Sequence, residues 1–111
     1  MLALPYLTPM ACPYRRCRAS HPHTDWQVVG EKRIVLFSPE ESEHLYARQG
    51  LQRNVSSVDI RAPNLDKFAR FRAAKGFQAT LRGTDAVFIP LKWWHYCENM
   101  ATSLAVNYWW L

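Results

Sequence analysis

The pattern of hydrophobic and polar positions changes at about residue 26. Before it, prolines, arginines and histidines follow neither the period of a helix nor that of a strand. The stretch WQVVGEKRIVLFS that follows contains two short runs rich in valine and isoleucine, separated by Gly30 and Glu31. This predicts a strand, a tight turn or bulge, and a second strand. We therefore expect residues 1–25 to form an irregular basic arm and residues 26–111 to form the folded domain.

Two short helices are predicted after these strands. In SPEESEHLY, Ser38 is a suitable N-cap, Pro39 takes the first helical position and Glu41 lies three residues after the cap. This is the arrangement of a capping box. In PNLDKFARFRAAKG, residues 63–76, an apolar face of leucine and phenylalanine is followed by Gly76 as the terminating residue. We assign that face to core packing.

The last part of the chain is predicted to be almost entirely β. FQATLRGTDAVFIP gives a strand, a turn at Gly83 and Thr84, and a buried strand, and WHYCEN and TSLAVNYWW give further strands with a polar turn between them. Short, closely spaced strands with two early helices predict an antiparallel sandwich or jelly roll. A jelly roll uses about eight strands in two sheets, and the six or so predicted here indicate an incomplete one.

Composition restricts the class of protein. The chain has 111 residues, of which 49% are hydrophobic and 21% charged, which is typical of one folded domain rather than a disordered tail. No apolar run approaches the roughly 20 residues that span a bilayer, so no membrane association is expected. Cys12, Cys17 and Cys97 form no disulfide framework, which favours a reducing cytoplasmic or nuclear location.

Four stretches, in order along the chain, carry a resemblance to a known family: QVVGEKRIVLFSPEESEHLY, SSVDIRAPNLDKFARF, DAVFIPLKWWHYCENM and SLAVNYWW. From Gln27 to Trp110 the chain resembles the C-terminal half of a JmjC domain, which is a cupin-like, double-stranded β-helix. The resemblance implies a mainly β fold, an incomplete double-stranded β-helix with two short inserted helices. It also implies a dioxygenase that depends on Fe(II) and 2-oxoglutarate and that hydroxylates or demethylates protein side chains, in the small hydroxylase branch of the family.

The resemblance further implies a set of site residues. A non-heme Fe(II) oxygenase holds its metal by two histidines and one carboxylate. His95 matches the distal histidine of the family, and His23 and Asp25 match its H-x-D pair. Lys32 matches the basic residue that binds the distal carboxylate of 2-oxoglutarate. Asn107, which alternates with apolar neighbours, matches a polar position near the metal and the co-substrate.

The first two metal ligands leave alternatives open. Only the four residues WQVV separate Asp25 from Gly30, where the family has a longer connection that reverses the chain between antiparallel neighbours. A second alignment places TPMACPY over the approach to the pair, which leaves Ala11 and Cys12 at the ligand positions and removes the metal site. Because an intact domain of this type is longer, the resemblance also predicts a fragment or an inactive copy.

Two other function classes stay open. Cys12, Cys17, His21 and His23 could bind zinc, although their spacing leaves little loop between the pairs. A basic, aromatic-rich module that binds protein or RNA is the second class, since the formal net charge is +5. The basic residues are scattered rather than gathered in one stripe, so nucleic acid is the less favoured partner. We expect a protein substrate and, through the unpaired strand edges of an open roll, pairing with a second copy.

Overall fold

The computed structural model describes residues 17–109, which form seven strands and three short 3₁₀ helices. In a strand, successive side chains point to opposite faces, so one buried face requires apolar residues at every second position. The strands in this part of the chain are β1 (Cys17–Arg18), β2 (His23–Val29), β3 (Lys32–Phe37), β4 (Gly76–Leu81), β5 (Ala86–Ile89), β6 (Trp94–Asn99) and β7 (Leu104–Trp109). Most of the predicted N-terminal arm lies outside the described residues, and the predicted boundary at residue 26 falls within β2.

The strands form two antiparallel sheets that face each other. The four-stranded sheet has the order β1-β6-β3-β4, and the three-stranded sheet has the order β5-β2-β7. Between them lies an apolar cluster to which both sheets contribute, made of Ala19, Ile34, Leu81, Ile89 and Cys97. This arrangement confirms the predicted mainly β, cupin-like jelly roll.

Strands that follow each other closely in sequence alternate between the two sheets. Strands β2 and β3 do not pair, so the chain crosses from one sheet to the other at Gly30 instead of forming a hairpin. Gly30 has a φ of +88°, and a Cβ there would meet the Thr102 carbonyl and the Ser103 side chain. Only glycine adopts this conformation without strain. The reversal between Asp25 and Gly30 that the resemblance implied is not found, because β2 runs unbroken through the segment.

The outer face of the four-stranded sheet is covered by the segment between β3 and β4. Val35, Phe37, Trp94 and Tyr96 point to this face and pack with Leu45, which is fully buried. The indole N–H of Trp94 also donates a hydrogen bond of 2.9 Å to Ser42 Oγ. Strands β3 and β6 of this sheet are therefore buried on both faces, whereas β4 is exposed except at Leu81. The outer face of the three-stranded sheet, by contrast, exposes Trp26, Val28 and Phe88.

The predicted first helix is present as a 3₁₀ helix, Pro39–Leu45. Ser38 precedes it as N-cap, but its side chain makes no capping hydrogen bond, so the predicted capping box is wrong. Glu41 instead accepts hydrogen bonds from His44 Nδ1 at 2.8 Å and from the backbone N–H of Lys75 at 3.1 Å. These bonds join the helix to the segment that leads into β4.

The predicted second helix, over residues 63–76, is reduced to the 3₁₀ helix Ala69–Ala73. Phe68 has φ −118° and ψ 59°, outside the helical range, and this interrupts the helix. Its ring packs edge-on against Tyr46, with 4.9 Å between the centroids. A third 3₁₀ helix, Gly50–Gln52, was not predicted. Within residues 17–109, no helix has the length and apolar character needed to cross a membrane.

Candidate functional site

Polar side chains occupy the inner face of β2, where the sheet position calls for apolar residues. His23, Asp25 and Gln27 alternate with more exposed neighbours along this strand and are 4%, 3% and 0% exposed. Because residues two apart share a face, all three point between the sheets. Lys32 reaches the same interior and is 1% exposed. The space between the sheets thus holds a buried polar group beside its apolar cluster.

Two imidazoles from facing sheets meet in this interior. The rings of His23 and His95 lie edge to face, with 5.3 Å between the centroids and 72° between the planes. His23 also stacks on Trp109, its cross-strand partner on β7, at 4.2 Å. Its Nδ1 donates a 3.2 Å hydrogen bond to the carbonyl oxygen of His21. In the neutral ring, this leaves Nε2 with the lone pair.

Burial keeps both imidazoles neutral near pH 7. It lowers the pKa of His95 to about 4, and the neighbouring charge of His23 acts in the same direction. Burial also lowers the pKa of His23, against the opposing effects of the hydrogen bond to His21 and the charge of Asp25. A neutral imidazole can bind a metal ion or accept a proton. The pair has the protonation state that either role requires.

Lys32 and Asp25 form an ion pair inside the protein. Lys32 Nζ donates to Asp25 Oδ2 at 2.7 Å, and the two side chains are 1% and 4% exposed. The pair links β3 of one sheet to β2 of the other. Each charge therefore compensates the other in a region from which water is excluded.

Several buried polar atoms in this interior have no hydrogen-bond partner among the described residues. They are Asp25 Oδ1, Gln27 Oε1, His95 Nδ1 and Asn107 Oδ1. Asn107 lies directly opposite Asp25 in the pairing of β7 with β2. Because buried polar groups in proteins are almost always hydrogen-bonded, unsatisfied atoms in one region point to a ligand or to bound water.

These residues, as placed, do not fit a three-donor iron site. Within residues 17–109, no three His, Cys, Asp or Glu side chains are arranged to hold a metal ion. His23 and His95 are adjacent, but the carboxylate of Asp25 is bonded to Lys32. The metal-ligand roles of His95, His23 and Asp25 and the co-substrate roles of Lys32 and Asn107 stay predictions. The zinc alternative also stays untested, because Cys12 and the side chain of Cys17 lie outside the described residues.

The sequence analysis missed two members of the site. Gln27 is fully buried, and the signal was available, since it continues the every-second-residue series of His23 and Asp25. Trp109 lies two residues after Asn107 on the same face of β7, but its stacking on His23 follows from strand pairing and is not visible in the sequence. The same is true of the bond between Lys32 and Asp25.

Known proteins resemble most of this chain. A family model described as a cupin-like domain matches residues 23–111. Lysine-specific demethylase 8 of Xenopus tropicalis is 39% identical over 85 residues, which are 76% of this chain and 19% of that protein. tRNA wybutosine-synthesizing protein 5 of Mus musculus is 36% identical over 84 residues, 76% of this chain and 26% of that protein. Lysine-specific demethylase JMJ31 of Arabidopsis thaliana is 38% identical over 87 residues, 75% of this chain and 16% of that protein. The chain thus spans between 16% and 26% of the length of these relatives.

Proposed function

The chain belongs to the cupin-like domain family, which includes the JmjC proteins, and on that premise we propose that it is a JmjC-type dioxygenase. The proposed activity depends on Fe(II) and 2-oxoglutarate and hydroxylates or demethylates a protein side chain. The observation that carries the proposal is the pair of buried imidazoles, His23 and His95, on facing sheets. Proteins of this class hold iron with two histidines and a carboxylate.

The proposal assigns roles to four polar residues of the interior. His23 and His95 are the iron-binding histidines, and burial keeps them neutral as that role requires. Lys32 is the cation that receives a carboxylate of the co-substrate, and Asn107 is a polar neighbour of the bound molecule. The oxidation chemistry belongs to the bound iron and 2-oxoglutarate. The chain contributes the positions of these side chains and an interior closed to water.

We expect the chain itself to turn over 2-oxoglutarate poorly or not at all. Asp25 and Lys32 bond to each other at 2.7 Å, and this bond must break before Asp25 can contact iron or Lys32 can contact a co-substrate. Succinate formation with Fe(II), 2-oxoglutarate and ascorbate should therefore stay close to the level measured in the same mixture without protein. Strong succinate formation that disappears in His95→Ala would contradict this expectation while supporting the proposed activity class.

The test of the proposal is metal binding, measured by calorimetry with Mn(II) as a redox-stable substitute for Fe(II). The wild-type chain should bind Mn(II), and His23→Ala and His95→Ala should each weaken that binding at least tenfold, because each removes one of two imidazole donors. His44→Ala is the matched control, since His44 pairs with Glu41 away from this interior. If the two interior variants bind Mn(II) as the wild type does, the proposal is wrong.

The proposed substrate class follows the relatives named as lysine-specific demethylases. On that basis we propose a protein side chain as the oxidised group. The relative named as a tRNA wybutosine-synthesizing protein makes tRNA the contrasting outcome. Binding assays with a basic peptide library and with bulk tRNA separate the two, and salt-resistant binding of tRNA alone would redirect the proposal.

A further inference from the structure

Strand β2 distributes its side chains in the opposite way from an ordinary surface strand. In an antiparallel sheet with one solvated face, apolar side chains normally point to the core and polar side chains point to water. The buried side chains of β2 are those of His23, Asp25 and Gln27. Trp26 and Val28 alternate with them, point to the outer face and are exposed. The outer face of β2 is therefore its apolar face.

Both neighbours of β2 continue this outer surface. Trp26 lies opposite Ala86 on β5 and opposite Val106 on β7, and residues opposite each other on antiparallel strands share a face. We call the whole surface the outer apolar face, and its members are Thr24, Trp26, Val28, Ala86, Phe88, Leu104, Val106 and Tyr108. Charged residues make up 21% of the chain, yet none of these eight residues is charged. The three-stranded sheet thus presents an uncharged surface to its surroundings.

The outer apolar face is large enough to support association with a second protein surface. Trp26 is 42% exposed and Phe88 is 55% exposed, and each aromatic side chain can bury about 150–250 Å². Together with the exposed parts of Val28 and Leu104, the face offers on the order of 500 Å² of apolar surface, which is near the upper end for the largest patch on a monomer. Two copies packed face to face would bury on the order of 1,000 Å², which is the lower limit for a specific interface.

We propose that the outer apolar face is the contact surface of a homodimer, in which two copies of the chain pack their three-stranded sheets against each other. A face without charged groups does not select a charged partner, whereas under two-fold symmetry it meets an identical apolar face. Sheets that pack face to face interdigitate their side chains in this way within β-sandwiches. An interface of this small size predicts a dissociation constant on the order of 10–100 μM.

This contact differs from pairing between the exposed edges of two sheets. Edge pairing uses backbone groups of an outer strand, and the outer strands of the three-stranded sheet are β5 and β7. Trp26 and Thr24 lie on the central strand β2, whose backbone pairs with both neighbours. Substitutions at these two residues therefore affect a dimer formed through the face but leave a dimer formed through an edge intact.

Sedimentation equilibrium of the full chain, from about 5 to about 500 μM around the predicted dissociation constant, tests the dimer. The wild type should change from monomer to dimer over this range. Trp26→Lys and Phe88→Lys should each weaken dimerisation at least tenfold, because each places an ammonium group in the apolar contact. Thr24→Lys adds the same charge without removing an apolar side chain, so it provides the test if either of the other variants does not fold.

Leu51→Lys is the matched control. It introduces the same charge at a fully exposed leucine, in the segment that covers the other sheet, and should dimerise as the wild type does. Ionic strength separates direct contact from association through bound nucleic acid. Each copy carries a formal net charge of +5, so salt should strengthen a direct apolar contact by screening the repulsion between copies, whereas it would weaken a contact bridged by nucleic acid.

Three results would overturn the proposal. If the chain stays monomeric at every concentration, the outer apolar face is covered by a segment of the same chain or by a different protein. If Trp26→Lys and Thr24→Lys dimerise as the wild type does, the copies pair at a sheet edge. If salt dissociates the dimer, a polyanion holds the copies together.

Discussion

Acidification is expected to destabilise the fold through His95. Burial, followed by the neighbouring charge of His23, lowers the pKa of His95 from its ordinary 6.5 to about 4. In the unfolded chain the same side chain titrates near its ordinary pKa. Between these two values the unfolded state binds more protons than the folded state. The contribution to stability is therefore complete above pH 6.5 and is lost as the pH falls toward 4.

The magnitude follows from the difference between the two pKa values. A difference of one pKa unit corresponds to about 1.36 kcal/mol. With a folded pKa of about 4, the complete loss is about 3.4 kcal/mol, and about 2 kcal/mol of it is already reached at pH 5. Domains of this size have a free energy of unfolding of about 5–15 kcal/mol, so the loss is a large fraction of the total. Burial also lowers the pKa of His23, which adds to the loss in the same direction.

The assay is urea unfolding followed by tryptophan fluorescence between pH 5 and pH 8. The free energy of unfolding of the wild type should fall by about 2 kcal/mol more over this range than that of His95→Gln, which does not titrate. His44→Gln is the control, because His44 pairs with Glu41 away from His95. Its free energy of unfolding should show the same pH dependence as that of the wild type. Equal pH dependence in the wild type and His95→Gln would refute the reasoning.

Two further substitutions test the interior and the crossing between the sheets by urea unfolding. Lys32→Met should lower the free energy of unfolding by about 3–5 kcal/mol, because Asp25 then stays buried without its partner. Adding Asp25→Leu should restore most of this loss. If the losses of the two single variants simply add in the double variant, the ion pair is contradicted. Gly30→Ala should lower the free energy of unfolding by about 2–3 kcal/mol. The φ of +88° accounts for about 1–2 kcal/mol of this, and crowding against the Thr102 carbonyl accounts for the rest. Gly50 has a φ of +65° and open space around it, so Gly50→Ala should lower the free energy of unfolding only by the cost of the positive φ. Equal losses at the two glycines would rule out crowding at Gly30.

Local pattern predicted β3 to β7 and the second half of β2, but it placed β1 and the first three residues of β2 in an irregular arm. It did not predict which strands pair. Strands β2 and β3 are separated by only two residues, Gly30 and Glu31, yet belong to different sheets. A turn residue such as Gly30 is equally compatible with a hairpin and with a crossing. Pairing depends on contacts between distant segments, such as β2 with β7, which a local pattern does not contain.

The same limit applies to the site. The sequence analysis assigned His23 and Asp25 to an irregular arm, although their inward direction, which follows from alternation along β2, was in principle predictable. The bond between Asp25 and Lys32 was not, because it depends on how two sheets face each other. The second predicted helix failed for a related reason. Phe68 leaves the helical conformation and packs on Tyr46, a contact that helix-forming tendency alone does not anticipate.

The two faces of strand β6 pack into two separate clusters of buried residues. Trp94 and Tyr96 belong to the cluster beneath the 3₁₀ helix, while His95 and Cys97 face the space between the two sheets. A volume change at either aromatic residue must be absorbed by movement of the backbone they share with His95. The distance between the two imidazoles is thus tied to packing on the far side of the sheet, so substitutions there should alter the proposed metal binding without replacing either histidine.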